Sequence, residues 1–216
     1  LIKESNKYIS IIIKSTVVPG TTDTVFKAII EQESGKKIGD FGLGMNPEFL
    51  REGNAIEDFS NPDRIVFGFE DDNTLKKLEK LYESWDVDKL RMNTRSAEFV
   101  KYANNYLLAT QISAINEIAN VSSALGCVDF KNVTQGIHLD KRWNPISESG
   151  YRVSPQILTY LKPGCGFGGS CFPKDVEAFR SFGMSLDVQM RLSNAVLDVN
   201  DEQPFQVGKI LEKHIF

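Results

Sequence analysis

The sequence predicts an α/β protein: the closing strands of a doubly wound parallel sheet up to about residue 92, then an all-helical domain. Three observations carry this. Short β-branched, apolar runs alternate with helical patterns through residue 92, the signature of parallel strands joined by crossover helices. From Ser96 to Leu125 a helical pattern runs without Pro or internal Gly until Gly126. Beyond it only helices and loops are legible.

In order, YISIIIKSTVV (8–18) suits a buried parallel strand. PGTTDTV supplies turn residues and a helix start, TVFKAIIEQES (24–34) carries apolar residues at helical spacing, and Gly35 stops it. A strand is expected near 38–44, and NPEFLREGNAI reads as a turn with a short helix. RIVFGF (64–69) reads as a strand and NTLKKLEKLYESW (73–85) as a helix. The 96–125 helix is long enough to cross a domain or to form a subunit interface. Shorter helices and loops are expected over 129–163, and helices over 174–183 and 193–213.

Composition narrows the function classes. The 216 residues are 41% apolar and 25% charged with net charge −4, so a broad basic footprint for nucleic acid is absent. Cys127, Cys165 and Cys171 form no C-x-x-C pair, which argues for reduced thiols in the cytoplasm rather than a disulfide framework. The two histidines, His138 and His214, stand far apart and argue against a His-based metal site or a Ser-His-Asp triad. No run reaches the roughly 18–20 apolar residues of a membrane span. The first residues, LIKESNKYISIII, lack a starting Met and a signal-peptide cleavage pattern, and VGKILEKHIF stops just after a helix-like pattern. A piece of a longer polypeptide is expected.

The chemistry concentrates in GCGFGGSCFPKD (164–175). Glycines let a ligand approach the backbone closely, and Pro173 suits the first turn of a helix. Cys171 is then placed at a helix N-terminus, where the dipole favours a thiolate, with Asp175 four residues on. This arrangement reads as an activated nucleophile, against the plainer alternative of a packed cysteine. In AEFVKYANNY, Lys101 and Asn105 are four apart and share a helix face. In a cleft they can donate to an oxyanion; otherwise they are solvated neighbours. Glu48 and Glu52 in NPEFLREG are also four apart, either a capped helix start or a pair of carboxylates. Ser15 and Thr16 follow the first strand, at the usual ligand edge of an open α/β sheet.

Taken in order, KSTVVPGT, NPEFLREGNAI, KYANN and GFGGSCFPKD resemble the UDP-glucose/GDP-mannose dehydrogenase family across nearly the whole chain. NPDRIVFG (61–68) and HLDKR (138–142) fit the same resemblance. It implies an NAD-binding Rossmann domain, a helical central domain like the C-terminal domain of 6-phosphogluconate dehydrogenase, and a nucleotide-sugar domain. Residues 1–92 would close the first, 93–195 form the central, dimerising domain, and 196–216 lead toward the third. No strand–loop–helix of the G-x-G-x-x-G kind that cradles the NAD pyrophosphate is expected here, so the segment alone should neither hold NAD firmly nor turn over.

The implied reaction is NAD-dependent oxidation of a nucleotide sugar's C6 alcohol to a carboxylate in two hydride transfers. UDP-glucose is the first expectation, with GDP-mannose or a UDP-N-acetylhexosamine as alternatives. By the resemblance Cys171 is the nucleophile, Lys101 and Asn105 stabilise the C6 oxygen, and Asp175 and Thr16 position water or move protons. Glu48 is then the base for thioester hydrolysis. Phe49, Leu50, Arg51, Lys162 and Gly168 fall in segments lining the sugar-nucleotide site, and Arg142 resembles a residue reaching a neighbouring subunit's substrate. Ser15, Thr16, Glu52 and Lys174 would border NAD. Cys127 and Cys165 are read as packing residues. A homodimer or larger homo-oligomer is implied, with no metal, nucleic acid or membrane partner. A two-electron 3-hydroxyacid dehydrogenase also carries the Lys–Asn pair but needs no thiol, and a purely helical dimerisation module leaves the site blocks idle.

Overall fold

A computed structural model describes residues 2–215, with side chains through residue 212. Leu1 and Phe216, the ends of the first and last expected segments, lie outside the described residues. Two compact units are present, Leu1–Ala103 and Asn104–Phe216.

The first unit is built on a four-stranded sheet of β1 (Ser10–Ile13), β2 (Gly42–Met45), β3 (Ile65–Phe69) and β4 (Lys89–Met92), in that spatial order. β1 with β2 and β3 with β4 pair parallel, as the strand–helix alternation predicts, while β2 with β3 is antiparallel. The expected strand at 38–44 contracts to β2, preceded by an isolated bridge between Ile38 and Phe41. After β1, a π-helical stretch (Thr21–Phe26) runs into α1 (Lys27–Ser34). The connection from β2 contains α2 (Ala55–Ser60), and α3 (Asp72–Leu81) precedes β4. β2 and β3 are almost wholly buried, as strands covered on both faces are, whereas β1 is half-buried and β4 (KLRM) exposes Leu90 and Arg91. Ile65, Phe67, Leu78 and Tyr82 form one buried cluster, and Met45, Val66 and Ala97 another.

Closeness to the sheet is set at Gly68. A β-carbon there would stand 2.7 Å from the Ala97 side chain and 2.9 Å from the Thr94 backbone. Gly68→Ala is therefore expected to cost about 1–3 kcal/mol, as overpacking does. A lowered urea midpoint with an unchanged denaturant slope is the expected result, and an unchanged midpoint contradicts this account.

Asp71 caps α3 by accepting from Thr74 N at 2.9 Å; it also accepts from Thr74 Oγ1 at 2.8 Å and from the Tyr8 hydroxyl. Burial pushes its pKa up, but the bonds from Tyr8 and Thr74 outweigh this and leave it below the usual value. A carboxyl with a lowered folded pKa contributes stability above its unfolded pKa of about 3.9 and loses it as pH falls through the folded value. Asp71→Asn keeps the cap but not the charge. The stability gap between the two proteins should be open at neutral pH and narrow as pH falls below the unfolded value of about 3.9. A gap that is constant with pH counts against an ionised Asp71 in the fold.

The second unit is helical. It takes most of α4 (Thr94–Leu125), then α5 (Phe130–His138), a 3-10 turn (Gln156–Thr159), α6 (Phe172–Ser185) and α7 (Arg191–Ile215). Ala109, Phe167, Val176, Val196 and Leu197 form its core. His138 Nε2 lies 3.0 Å from Leu161 O, a structural contact between α5 and the loop before the glycine-rich segment. Among the described residues no helix is long and apolar enough to cross a membrane, and no His/Cys/Asp/Glu cluster could hold a metal ion.

Candidate active site

In the first unit three expected residues meet. Lys101, 3% exposed on α4, lies with Nζ 3.2 Å from Glu48 Oε1 and 5.5 Å from the centre of the Phe49 ring. Glu48 Oε2 accepts from Leu50 N at 2.8 Å, so both carboxylate oxygens are engaged. Arg64 stacks on the Phe49 ring at 4.1 Å. A buried ammonium held by one carboxylate and one ring is costly to unpair, by about 3–5 kcal/mol when a partner is removed.

The NPEFLREG block is not the short helix expected. Residues 46–51 are irregular, residues 52–54 turn, and α2 starts only at Ala55. Glu48 and Glu52 therefore do not share a helical face; Glu48 turns to Lys101, and Glu52 is exposed. The cause is Asn46-Pro47. Asn46 is 2% exposed; its Oδ1 accepts from Lys14 Nζ at 2.8 Å and Tyr82 OH at 2.6 Å, and its Nδ2 donates to Val66 O at 2.9 Å. Pro47 biases Asn46 away from helical dihedrals. Arg51 forms an ion pair with Asp58.

Ser15 and Thr16 follow β1 as expected, Ser15 exposed and Thr16 half-buried. Their loop is secured by a residue the sequence did not single out. Glu98, fully buried on α4, accepts from Gly20 N at 2.5 Å and Thr22 N at 2.8 Å. A carboxylate on backbone N–H groups at the start of a helical stretch is well placed. The signal available in the sequence was its position three residues before Lys101.

In the second unit, Cys171 is the residue from which α6 departs, with Pro173 in the first turn. Its carbonyl accepts from Asp175 N at 2.9 Å, and its exposed thiol lies 3.7 Å from Ser170 Oγ. Asp175 is 2% exposed; one carboxylate oxygen accepts from Asn105 Nδ2 and the other from Lys174 Nζ, each at 2.7 Å. Lys101 and Asn105 stand one turn apart on α4. Lys162 and Gly168 are exposed. Arg142 is exposed and donates three side-chain bonds to Asp140 at 2.5–3.2 Å, holding the Asp140 carboxyl down to about 2.

One expectation about the cysteines is corrected. Cys127 and Cys165 are exposed, not packed. Residues 164–169 satisfy the letters G-x-G-x-x-G, but no strand precedes them, so they do not form a strand–loop–helix phosphate cradle.

Comparison with known proteins follows this division. The NAD binding domain of the UDP-glucose/GDP-mannose dehydrogenase family matches residues 1–86, and the central domain of the same family matches residues 95–202. The UDP-glucose 6-dehydrogenase AglM of Haloferax volcanii is 38% identical over 94% of this chain and 45% of its own length. A GDP-mannose 6-dehydrogenase of Pseudomonas putida is also 38% identical, over 99% of this chain and 46% of its own. The solved UDP-glucose dehydrogenase of Pyrobaculum islandicum superposes with TM-score 0.85 at 42% identity, covering 99% of this chain and 46% of that one. The chain thus spans somewhat less than half the length of these relatives. Both units of the chain belong to the UDP-glucose/GDP-mannose dehydrogenase family.

Proposed function

We propose that the full-length protein oxidises the C6 alcohol of a nucleotide sugar to a carboxylate, consuming two NAD⁺ and one water and releasing two NADH. The observation that carries this reading is the exposed thiol of Cys171 at the head of α6, one turn before a buried Asp175 held by Asn105. A two-electron dehydrogenase has no use for that thiol.

NAD is the cofactor of the domain family to which residues 1–86 belong, and the residues present suit one rim of its site. Ser15 and Thr16 offer hydroxyls just beyond the C-terminal end of β1, and Glu52 and Lys174 are exposed. When bound, NAD accepts the two hydrides. The rest is the work of the chain. Lys101 and Asn105 carry more N–H groups than their bonds to Glu48 and Asp175 use, and these donate to the C6 oxygen as its charge develops. Thr16 and Asp175 orient water or carry the first proton. At the aldehyde stage Cys171 Sγ bonds to C6, and the carbonyl oxygen takes a proton to give a thiohemiacetal. Loss of hydride and of the hydroxyl proton leaves a thioester. Glu48 takes a proton from water as it attacks, the C–S bond breaks, and the thiol is restored.

In the same reading Phe49, Leu50, Arg51, Lys162 and Gly168 line the sugar nucleotide, and Arg142 serves a neighbouring subunit. Residues 1–92, 93–195 and 196–216 keep the domain roles given them above. A homodimer is supported by Leu107, Ile118, Val121 and Leu125, exposed apolar residues on one stripe of α4. A monomer by light scattering at working concentration overturns it.

A UDP-glucose enzyme and a GDP-mannose enzyme are each 38% identical to this chain, so the substrate is decided by experiment. NADH formed per sugar consumed is measured with each in turn. Two per sugar with one of them is expected. One per sugar removes the thioester from the mechanism, and none with either sugar moves the substrate to another nucleotide sugar.

A further inference from the structure

Cys171 is carried at the end of a segment, 164–170, that contains four glycines and no regular structure. Such a segment should wander, yet its main chain is gripped at two points, Gly164 and Phe167. Asn200 on α7 pairs with a single residue through two bonds: its Oδ1 accepts from Phe167 N at 2.7 Å, and its Nδ2 donates to Phe167 O at 3.1 Å. Three residues earlier, Gly164 is held in the same manner by two side chains. Asn116 Oδ1 on α4 accepts from Gly164 N at 2.8 Å, and Gln203 Nε2 on α7 donates to Gly164 O at 2.9 Å. Asn120 Nδ2 in turn fixes Gln203 through Oε1 at 2.9 Å. Asn116 is fully buried and Gln203 is 3% exposed.

We propose that this set of carboxamides on α4 and α7 is a clamp that sets the position of the Cys171 thiol, so that Asn116, Asn200 and Gln203 are positioning residues for the nucleophile. Side-chain amides reproduce here what a neighbouring strand would supply, an acceptor and a donor for each gripped residue. They do so without fixing the dihedrals between the gripped points, which Gly166 takes at φ +93°. Phe167 adds the apolar anchor, 7% exposed in the core and 6.1 Å from the Phe172 ring. The fit leaves no slack: a β-carbon on Gly166 would stand 2.6 Å from Asn200 Oδ1. The chain from the clamp to the thiol is short, four residues from Phe167 to Cys171, and α6 begins at the next. Buried amide bonds of this kind specify one arrangement because an unmade bond there leaves a desolvated donor or acceptor.

The proposal rests on Cys171 being the nucleophile, so its test is read first without turnover. In the full-length protein, iodoacetamide labelling is followed at each cysteine by peptide mass spectrometry, with Cys127, outside the clamped segment, as the internal standard. Asn200→Ala is expected to lower the Cys171-to-Cys127 rate ratio at least about threefold, because the thiol is no longer held at the start of α6. Gln203→Met, close in volume and without the amide, should do the same and stands in if Asn200→Ala does not fold. With the sugar that is oxidised, kcat should fall about tenfold or more in either variant while KM stays within about twofold, as misplacement of a reacting group does. An unchanged labelling ratio in a folded variant overturns the clamp, and so does a parallel change at all three cysteines, which means general loosening. A changed ratio in an enzyme whose Cys171→Ala variant still forms acid upholds the clamp and removes instead the nucleophile reading.

Discussion

Cys171→Ala in the full-length protein is expected to abolish formation of the sugar acid in the proposed reaction, to below about one-thousandth of the parent rate. Cys127→Ala and Cys165→Ala are expected to leave it within about twofold, because both side chains are exposed and neither opens a helix. The three residues make an internal control because all are exposed, so accessibility does not distinguish them. Surroundings do. Cys127 sits at φ 56° in the turn after α4, and Cys165 lies in the glycine-rich loop, whereas only Cys171 opens a helix and precedes a buried carboxylate by one turn. In the proposed mechanism, removing the thiol leaves Lys101, Asn105 and Asp175 in place, so the first oxidation would keep its oxyanion donors while the aldehyde would have nothing to bond to. Aldehyde trapped by hydroxylamine from the Cys171→Ala enzyme is the corresponding positive signal. Acid formed at comparable rates by all three variants takes Cys171 out of the mechanism.

The contrast among the cysteines also marks where the sequence stopped being legible. Strand and helix periodicity is local, and it placed β1, β3, α3 and the long α4 nearly where they are. Pairing is not local: nothing in RIVFGF says that β3 lies antiparallel to β2. Nor does periodicity report a side chain that holds the backbone open. Glu48 and Glu52 are spaced for one helical face, but Asn46, bonded to Lys14, Tyr82 and Val66, keeps the chain irregular ahead of α2. Glu98, Asn116 and Gln203 illustrate a further limit. A polar residue on an amphipathic helix reads as solvated until its partner is known, and the partners of these three lie 39 to 83 residues away. The motif blocks were legible because their chemistry is written in consecutive letters. The residues that hold those blocks in place are scattered through the chain.

Glu48→Gln is the sharper test of the hydrolytic half of the reaction, because it changes charge and almost nothing else. Glu48 is the open end of a half-buried pair: its side chain is 30% exposed, against 4% for that of Lys101. Its Oε2 is tied to Leu50 N and its Oε1 faces Lys101, so water has access to a carboxylate whose position is already set. A glutamine fits the same space and retains an oxygen for Leu50 N, but it cannot take a proton from water. Loss of a general base costs about 10²- to 10⁴-fold in turnover. The substitution also removes the counter-charge of a buried lysine, which would slow the first oxidation as well. The two effects separate by what accumulates. If hydrolysis is the step lost, the acyl group remains on sulfur, and intact mass shows an adduct that maps to Cys171 and disappears with hydroxylamine. If Lys101 has been disabled instead, turnover is equally slow, but the enzyme stays unmodified and alcohol is recovered. An adduct-free, slow Glu48→Gln enzyme therefore assigns Glu48 to the charge of Lys101 and leaves the water to another base.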